Sequence, residues 1–128
     1  SSDVCSSDLA SPAAAAYRVA LEQAMSNLKT LVDAGAPVAM GTDAGPAARF
    51  PGYFEHLELW MMVEAGLTPE QALSSATGAA ASCLGNEEIG TLQAGRWADF
   101  LVLSEDPLQD IEATRSLEGV FIAGAEVR

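Results

Sequence analysis

Pro37-Val38-Ala39-Met40-Gly41-Thr42-Asp43-Ala44-Gly45 is the stretch from which the rest of the chain takes its meaning. Pro37 to Thr42 is short and apolar with no polar alternation, the pattern of a strand buried on both faces in a parallel sheet. Asp43 stands at its C-terminal end. From Asp43 to Tyr53 the chain carries Gly45, Pro46, Pro51 and Gly52, which reads as a loop leaving that strand end. On the N-terminal side, Ser11-Pro12 predicts an N-cap with proline in the first helical turn. Tyr17, Leu21, Ala24, Met25, Leu28, Leu31 and Val32 then recur at steps of three and four, one face of a long helix. Gly35 supplies the stop, where a positive φ carries no Cβ penalty. Helix, turn and buried strand make half of an α/β repeat.

Beyond the loop, Phe54, Leu57, Met61, Met62 and Ala65 predict a second helix, ended by Gly66. Thr68-Pro69-Glu70-Gln71 predicts a capping box with proline at the start of a third helix. Ala76 to Leu84 is expected to continue helically as far as Gly85. After Asn86 the period changes. Ile89–Leu92, Ala98–Leu103 and Val120–Ile122 are short strand-like runs separated by Gly, Pro and Asp.

Bulk properties narrow the function classes. The 128 residues allow one compact unit or one piece of a larger one. A chain 49% hydrophobic and 19% charged is expected to fold. The formal charge of −12 repels phosphate backbones and anionic headgroups, so neither nucleic acid nor a membrane surface is an expected partner. Solvated acidic faces account for that charge without any function. Cys5 and Cys83 form no disulfide framework or metal knuckle, and Cys83 reads as a small hydrophobe in an apolar helix. No apolar run reaches the roughly 18 residues of a membrane span. Residues 1–9, with Ser-Ser-Asp repeated, resemble a translated sequencing adapter or a disordered tail, so cytoplasmic and exported locations stay open.

Three clusters in order resemble the C-terminal part of the amidohydrolase superfamily, in its imidazolonepropionase-like and Xaa-Pro-dipeptidase-like branch. The first is Gly41-Thr42-Asp43-Ala44-Gly45. The second is His56-Leu57-Glu58-Leu59, continuing through Met62–Leu73 to Ala76-Thr77. The third runs Gly90–Leu103, then Asp106-Pro107-Leu108 and Val120–Gly124. The resemblance implies an α/β fold: the C-terminal piece of a metal-dependent (β/α)8 barrel in residues 10–86, followed in 87–128 by strands of a small β-sandwich domain. It also implies hydrolysis of an amide-type C–N bond with one or two divalent metal ions, zinc foremost. The expected partner is a small-molecule substrate, and a homo-oligomer is open.

Within that resemblance Asp43 is the catalytic residue and a metal ligand, closing the last barrel strand and taking a proton from metal-bound water. A carboxylate beside a divalent ion suits that step chemically, and barrels place such residues at strand C-terminal ends. A strand-end aspartate bonding nearby backbone amides explains the same position without chemistry. His56, the only histidine, is assigned to substrate binding and not to metal, against the alternative of a structural or surface histidine. Arg49 offers its planar fork to a substrate carboxylate, or is simply solvated. Trp97, Asp99 and the strand that follows are read as structural, with a positive φ at Gly95 and a buried core at Phe100–Leu103. Trp60, Met61 and Met62 are read as core packing.

The same resemblance exposes what is missing. Its His-x-His pair, later metal-binding histidines and bridging lysine or glutamate are absent. One carboxylate and one histidine fall short of the three protein ligands of a catalytic zinc site. A whole barrel needs at least about 200 residues. The chain alone is therefore expected to be inactive. A stand-alone, non-catalytic interaction module derived from the same fold is the rival reading. An unrelated α/β domain with a phospho-accepting aspartate is a third, short of the acidic residues it needs.

Overall fold

The computed structural model describes residues 11–46 and 50–127. Helix α1 spans Pro12–Asp33, α2 Phe54–Glu64, α3 Pro69–Ala76 and α4 Gly78–Cys83. A 3-10 helix at Ile111–Arg115 separates β1 (Phe100–Leu103) from β2 (Leu117–Ile122) and β3 (Ala125–Glu126).

The helix boundaries follow local chemistry. The Ser11 hydroxyl accepts the Ala14 amide at 3.1 Å, and Pro12 opens α1. Thr68 Oγ1 accepts the Gln71 amide at 3.1 Å while the Gln71 side chain accepts the Thr68 amide at 2.8 Å. Each satisfies a backbone donor that the helix itself leaves open. The expected helix from Ala76 to Leu84 is interrupted at Thr77, whose φ of −125° and ψ of −92° are not helical. The Thr77 hydroxyl turns back onto the Leu73 carbonyl at 2.7 Å, ending α3, and α4 restarts one residue later.

The strand expected at Pro37–Thr42 forms no ladder. Among the described residues its cross-chain backbone bond is Met40 N–H to the Ser75 carbonyl, at 3.0 Å. A parallel strand needs neighbouring strands on both sides, and no described residues supply them. Ile89–Leu92 is likewise turn and not strand. Here Gly90, at φ +84°, passes so close to α4 that an added Cβ would lie 2.6 Å from Ala81 Cβ and 2.8 Å from the Thr77 carbonyl oxygen. Backbone proximity, not strand pairing, dictates that glycine.

The three strands form one antiparallel sheet in the order β1-β2-β3. Phe100 pairs with Phe121 and Leu101 with Val120, and the register shifts between Val102 and Leu103. The Phe100 and Phe121 rings stack with centroids 4.5 Å apart. The two-residue turn Ala123-Gly124 has φ of +52° and +77°, as the tight hairpins favoured by strand twist require. Asp99 secures it by accepting the Ala123 amide at 2.7 Å, which bears out its structural reading.

The core gathers Leu59, Met62, Leu67, Ala72 and Ile111, with Leu28, Val32, Val38 and Met40 packed around them. Ile111 joins the C-terminal segment to the helices. Several residues expected inside lie at the surface. α1 has no buried residue, and Tyr17 at its N-terminal half is 77% exposed. Trp60, Leu101 and Val102 are exposed, so Phe100–Leu103 is a half-covered edge strand and not a buried core. Cys83 is exposed as well, at the last turn of α4. No helix among the described residues is long and apolar enough to cross a membrane.

Candidate active site

Asp43 ends the apolar run in a left-handed conformation, φ +51°, and is exposed. That region costs most residues energy and is tolerated best by Asn, Asp and Gly. The backbone around it is braced. Thr42 Oγ1 accepts the Ala44 amide at 3.1 Å and donates to Glu55 Oε1 at 3.4 Å. Glu55 Oε2 in turn accepts the Gly52 amide at 2.6 Å. One carboxylate in the first turn of α2 thus ties down both ends of the loop that begins at Asp43. The helix N-terminus favours negative charge at that position. Sequence reasoning passed over Glu55. Its signal was its place in the first turn, directly before His56.

His56 sits one residue further along α2, half-buried. Its Nδ1 lies 2.9 Å from Thr114 Oγ1, on the buried side of the 3-10 helix. Burial lowers the His56 pKa below the ordinary histidine value; Arg115 lowers it further, and Glu55 opposes. The imidazole is therefore neutral at neutral pH. On the same helix Glu58 is shifted the other way, its carboxyl raised above the usual carboxylate range by burial.

His56 also lines a cavity of about 720 Å³ between the helices and β1, walled by Met40, Leu59, Leu73, Phe100 and Leu101. Asp43 is not part of that lining. α2 is what relates the two residues: Glu55 reaches to the Asp43 loop and His56 to Thr114. Arg49 lies outside the described residues. Among the described residues, no three His, Cys, Asp or Glu side chains come together in a way that could hold a metal ion. Asp43 alone offers one carboxylate where a catalytic zinc site uses about three protein ligands. The residues present do not by themselves fit a divalent metal.

Two helices joined through an extended apolar segment that ends at Asp43, followed by two shorter helices and an antiparallel meander, make up the described chain. The chain belongs to the amidohydrolase family, whose pattern it fits over residues 8–127. It is similar to the imidazolonepropionase of Deinococcus radiodurans, 39% identical over 103 residues, which are 77% of this chain and 26% of that protein. Over 90 residues it is 31% identical to the 5-methylthioadenosine/S-adenosylhomocysteine deaminase of Bacillus cereus, covering 65% of this chain and 21% of that one. Among solved structures, a putative prolidase from Bifidobacterium longum superposes with a TM-score of 0.73 at 38% identity, covering 80% of this chain and 26% of that one. The chain spans about a quarter of the length of the curated relatives it matches.

Proposed function

We propose that these residues form the C-terminal part of an amidohydrolase that cleaves an amide-type C–N bond of a small molecule, with Asp43 as the residue that moves the proton. The observation that carries this reading is the family match over residues 8–127, with Asp43 held at φ +51° where the apolar run meets its loop. An exposed carboxylate at such a point is placed to accept a proton from the attacking water and pass it to the leaving nitrogen. Cyclic ureas or lactams, dipeptides ending in proline and acylated amino acids are the substrate classes. Similarity to both an imidazolonepropionase and a putative prolidase supports testing cyclic and dipeptide-like substrates side by side.

In this reading residues 10–86 complete a (β/α)8 barrel and residues 87–128 contribute to a small β-sandwich. One or two divalent ions, zinc foremost, serve the reaction, and their other ligands come from outside these 128 residues. His56 contacts substrate, and Arg49 meets a substrate carboxylate. The 128-residue chain alone is inactive.

The test is Asp43→Asn in the complete enzyme, assayed on those three substrate classes alongside thermal melting. Turnover falls by about 10²–10⁴, the loss expected for a missing general base, while the melting curve is unchanged. An Asp43→Asn enzyme keeping more than about a tenth of wild-type kcat would overturn the role.

A further inference from the structure

The Thr114 hydroxyl has one proton and two neighbours able to take it. The Ile111 carbonyl lies 2.9 Å away and His56 Nδ1 also lies 2.9 Å away. Thr114 is buried, so a partner left unsatisfied there costs the desolvation of a polar group. One allocation makes both contacts hydrogen bonds: Thr114 donates to the Ile111 carbonyl, and His56 Nδ1–H donates to Thr114 Oγ1. The reverse keeps only one of the two bonds and leaves the Ile111 carbonyl with the i→i+3 amide of its own 3-10 helix. It also moves the ring proton to Nε2. Nε2 has no hydrogen-bond partner among the described residues.

We propose that Thr114 is a positioning residue that locks His56 in the Nδ1–H tautomer, leaving Nε2 as a bare acceptor for an N–H or O–H donor bound in the cavity that His56 lines. The tautomer follows from the hydrogen bonds of this chain; assigning Nε2 to a substrate donor rests on the function proposed above. A bare nitrogen lone pair selects by sign. It accepts from the N–H of a cyclic urea, lactam or amide and repels a carbonyl or carboxylate edge in the same place. The C-terminal segment then contributes to substrate choice through a side chain on the 3-10 helix as well as through the Phe100 and Leu101 wall of the cavity.

The experiment is ¹⁵N NMR of the complete enzyme labelled with ¹⁵N-histidine, with the His56 signals identified by their loss in His56→Asn. In the wild type the proton is expected on Nδ1. Thr114→Val, which keeps the shape and removes the hydroxyl, shifts the population towards the Nε2–H form, and Thr114→Ser restores it. Titration with 2-imidazolidinone, which carries two N–H donors, moves the Nε2 resonance; 1,3-dimethyl-2-imidazolidinone, which has none, leaves it in place. A wild-type proton on Nε2, or a Thr114→Val spectrum like the wild type, overturns the positioning role. If Thr114→Val does not fold, the wild-type and Thr114→Ser spectra decide that point. Equal responses to the two ureas, or no response to either, overturn the acceptor role. Turnover of Asp43→Asn, measured separately, judges the proposed function and leaves the tautomer result standing.

Discussion

Pro37–Thr42 and Phe100–Leu103 are nearly the same kind of sequence, short apolar runs ended by a polar residue, yet only the second is a paired strand. Phe100–Leu103 finds its partner in Leu117–Ile122, a short way along the same chain, and the antiparallel register follows. Pro37–Thr42 has the composition of a strand flanked on both sides, and among the described residues no strand flanks it. The difference teaches that an antiparallel meander carries its own hydrogen-bond partners, whereas a parallel strand depends on distant segments for every one.

The most decisive way to sharpen that comparison is to ask what chemistry survives in the 128-residue chain alone. After dialysis against buffer, elemental analysis is expected to find less than one tightly held equivalent of zinc, and no hydrolysis of dipeptide, acyl-amino-acid or lactam substrates. Asp43 provides one metal bond where about three are needed. Stoichiometric retained zinc would show that these residues assemble a site unaided. The next largest effect is the loss of turnover in Asp43→Asn of the complete enzyme, described above. His56→Asn is expected to be milder, raising KM more than it lowers kcat, because His56 is assigned to substrate and not to the metal. A larger kcat loss in His56→Asn than in Asp43→Asn would exchange the two roles.

Packing and capping provide smaller effects that separate backbone proximity from local helix chemistry. Gly90→Ala places a methyl against Ala81 Cβ and the Thr77 carbonyl at a φ of +84°. Overpacking costs about 1–3 kcal/mol, and the left-handed conformation adds about 1–2 kcal/mol. Thr68→Ala removes one half of the capping box and is expected to cost about 1 kcal/mol. Denaturant titration of both variants checks the order. A Thr68→Ala loss larger than that of Gly90→Ala would mean that the Gly90 turn relaxes freely.

What the sequence made legible was what neighbours in sequence determine. Ser11, Pro12, Gly35, Thr68 and Gln71 placed helix ends because caps are local hydrogen bonds. Asp43 was singled out by the family resemblance, since an aspartate after an apolar run reads by itself as an ordinary turn residue. The break at Thr77 was not legible, because it turns on one hydroxyl choosing the Leu73 carbonyl over continued helix. Nor was the exposure of Tyr17, Trp60 and Leu101: amphipathic spacing says which face wants cover, not whether these residues supply it. Glu55 and Thr114 escaped notice because each acts through another residue, Thr42 or His56, and the His56–Thr114 contact spans 58 positions of sequence.

The smallest expected effect concerns pH, and it sets two residues of α2 against each other. His56 titrates below its ordinary value because burial and Arg115 disfavour the imidazolium, with Glu55 opposing them. In the unfolded chain it takes up a proton near pH 6.5, about the usual value, before the native state does. Its contribution to stability is thus present above that pH and is lost as pH falls through the folded value. Glu58 has the opposite sign. Burial raises its carboxyl, so the native state binds the proton first, and its contribution is present at low pH and lost as pH rises out of the ordinary carboxylate range. On acidification from about pH 7 the melting temperature is therefore expected to fall first through His56 and then to level as Glu58 protonates. Both groups are partly solvated, so the changes are modest. His56→Gln should remove the first limb and Glu58→Gln the levelling. Melting curves of both variants that parallel the wild type across this range would show that neither shift governs stability.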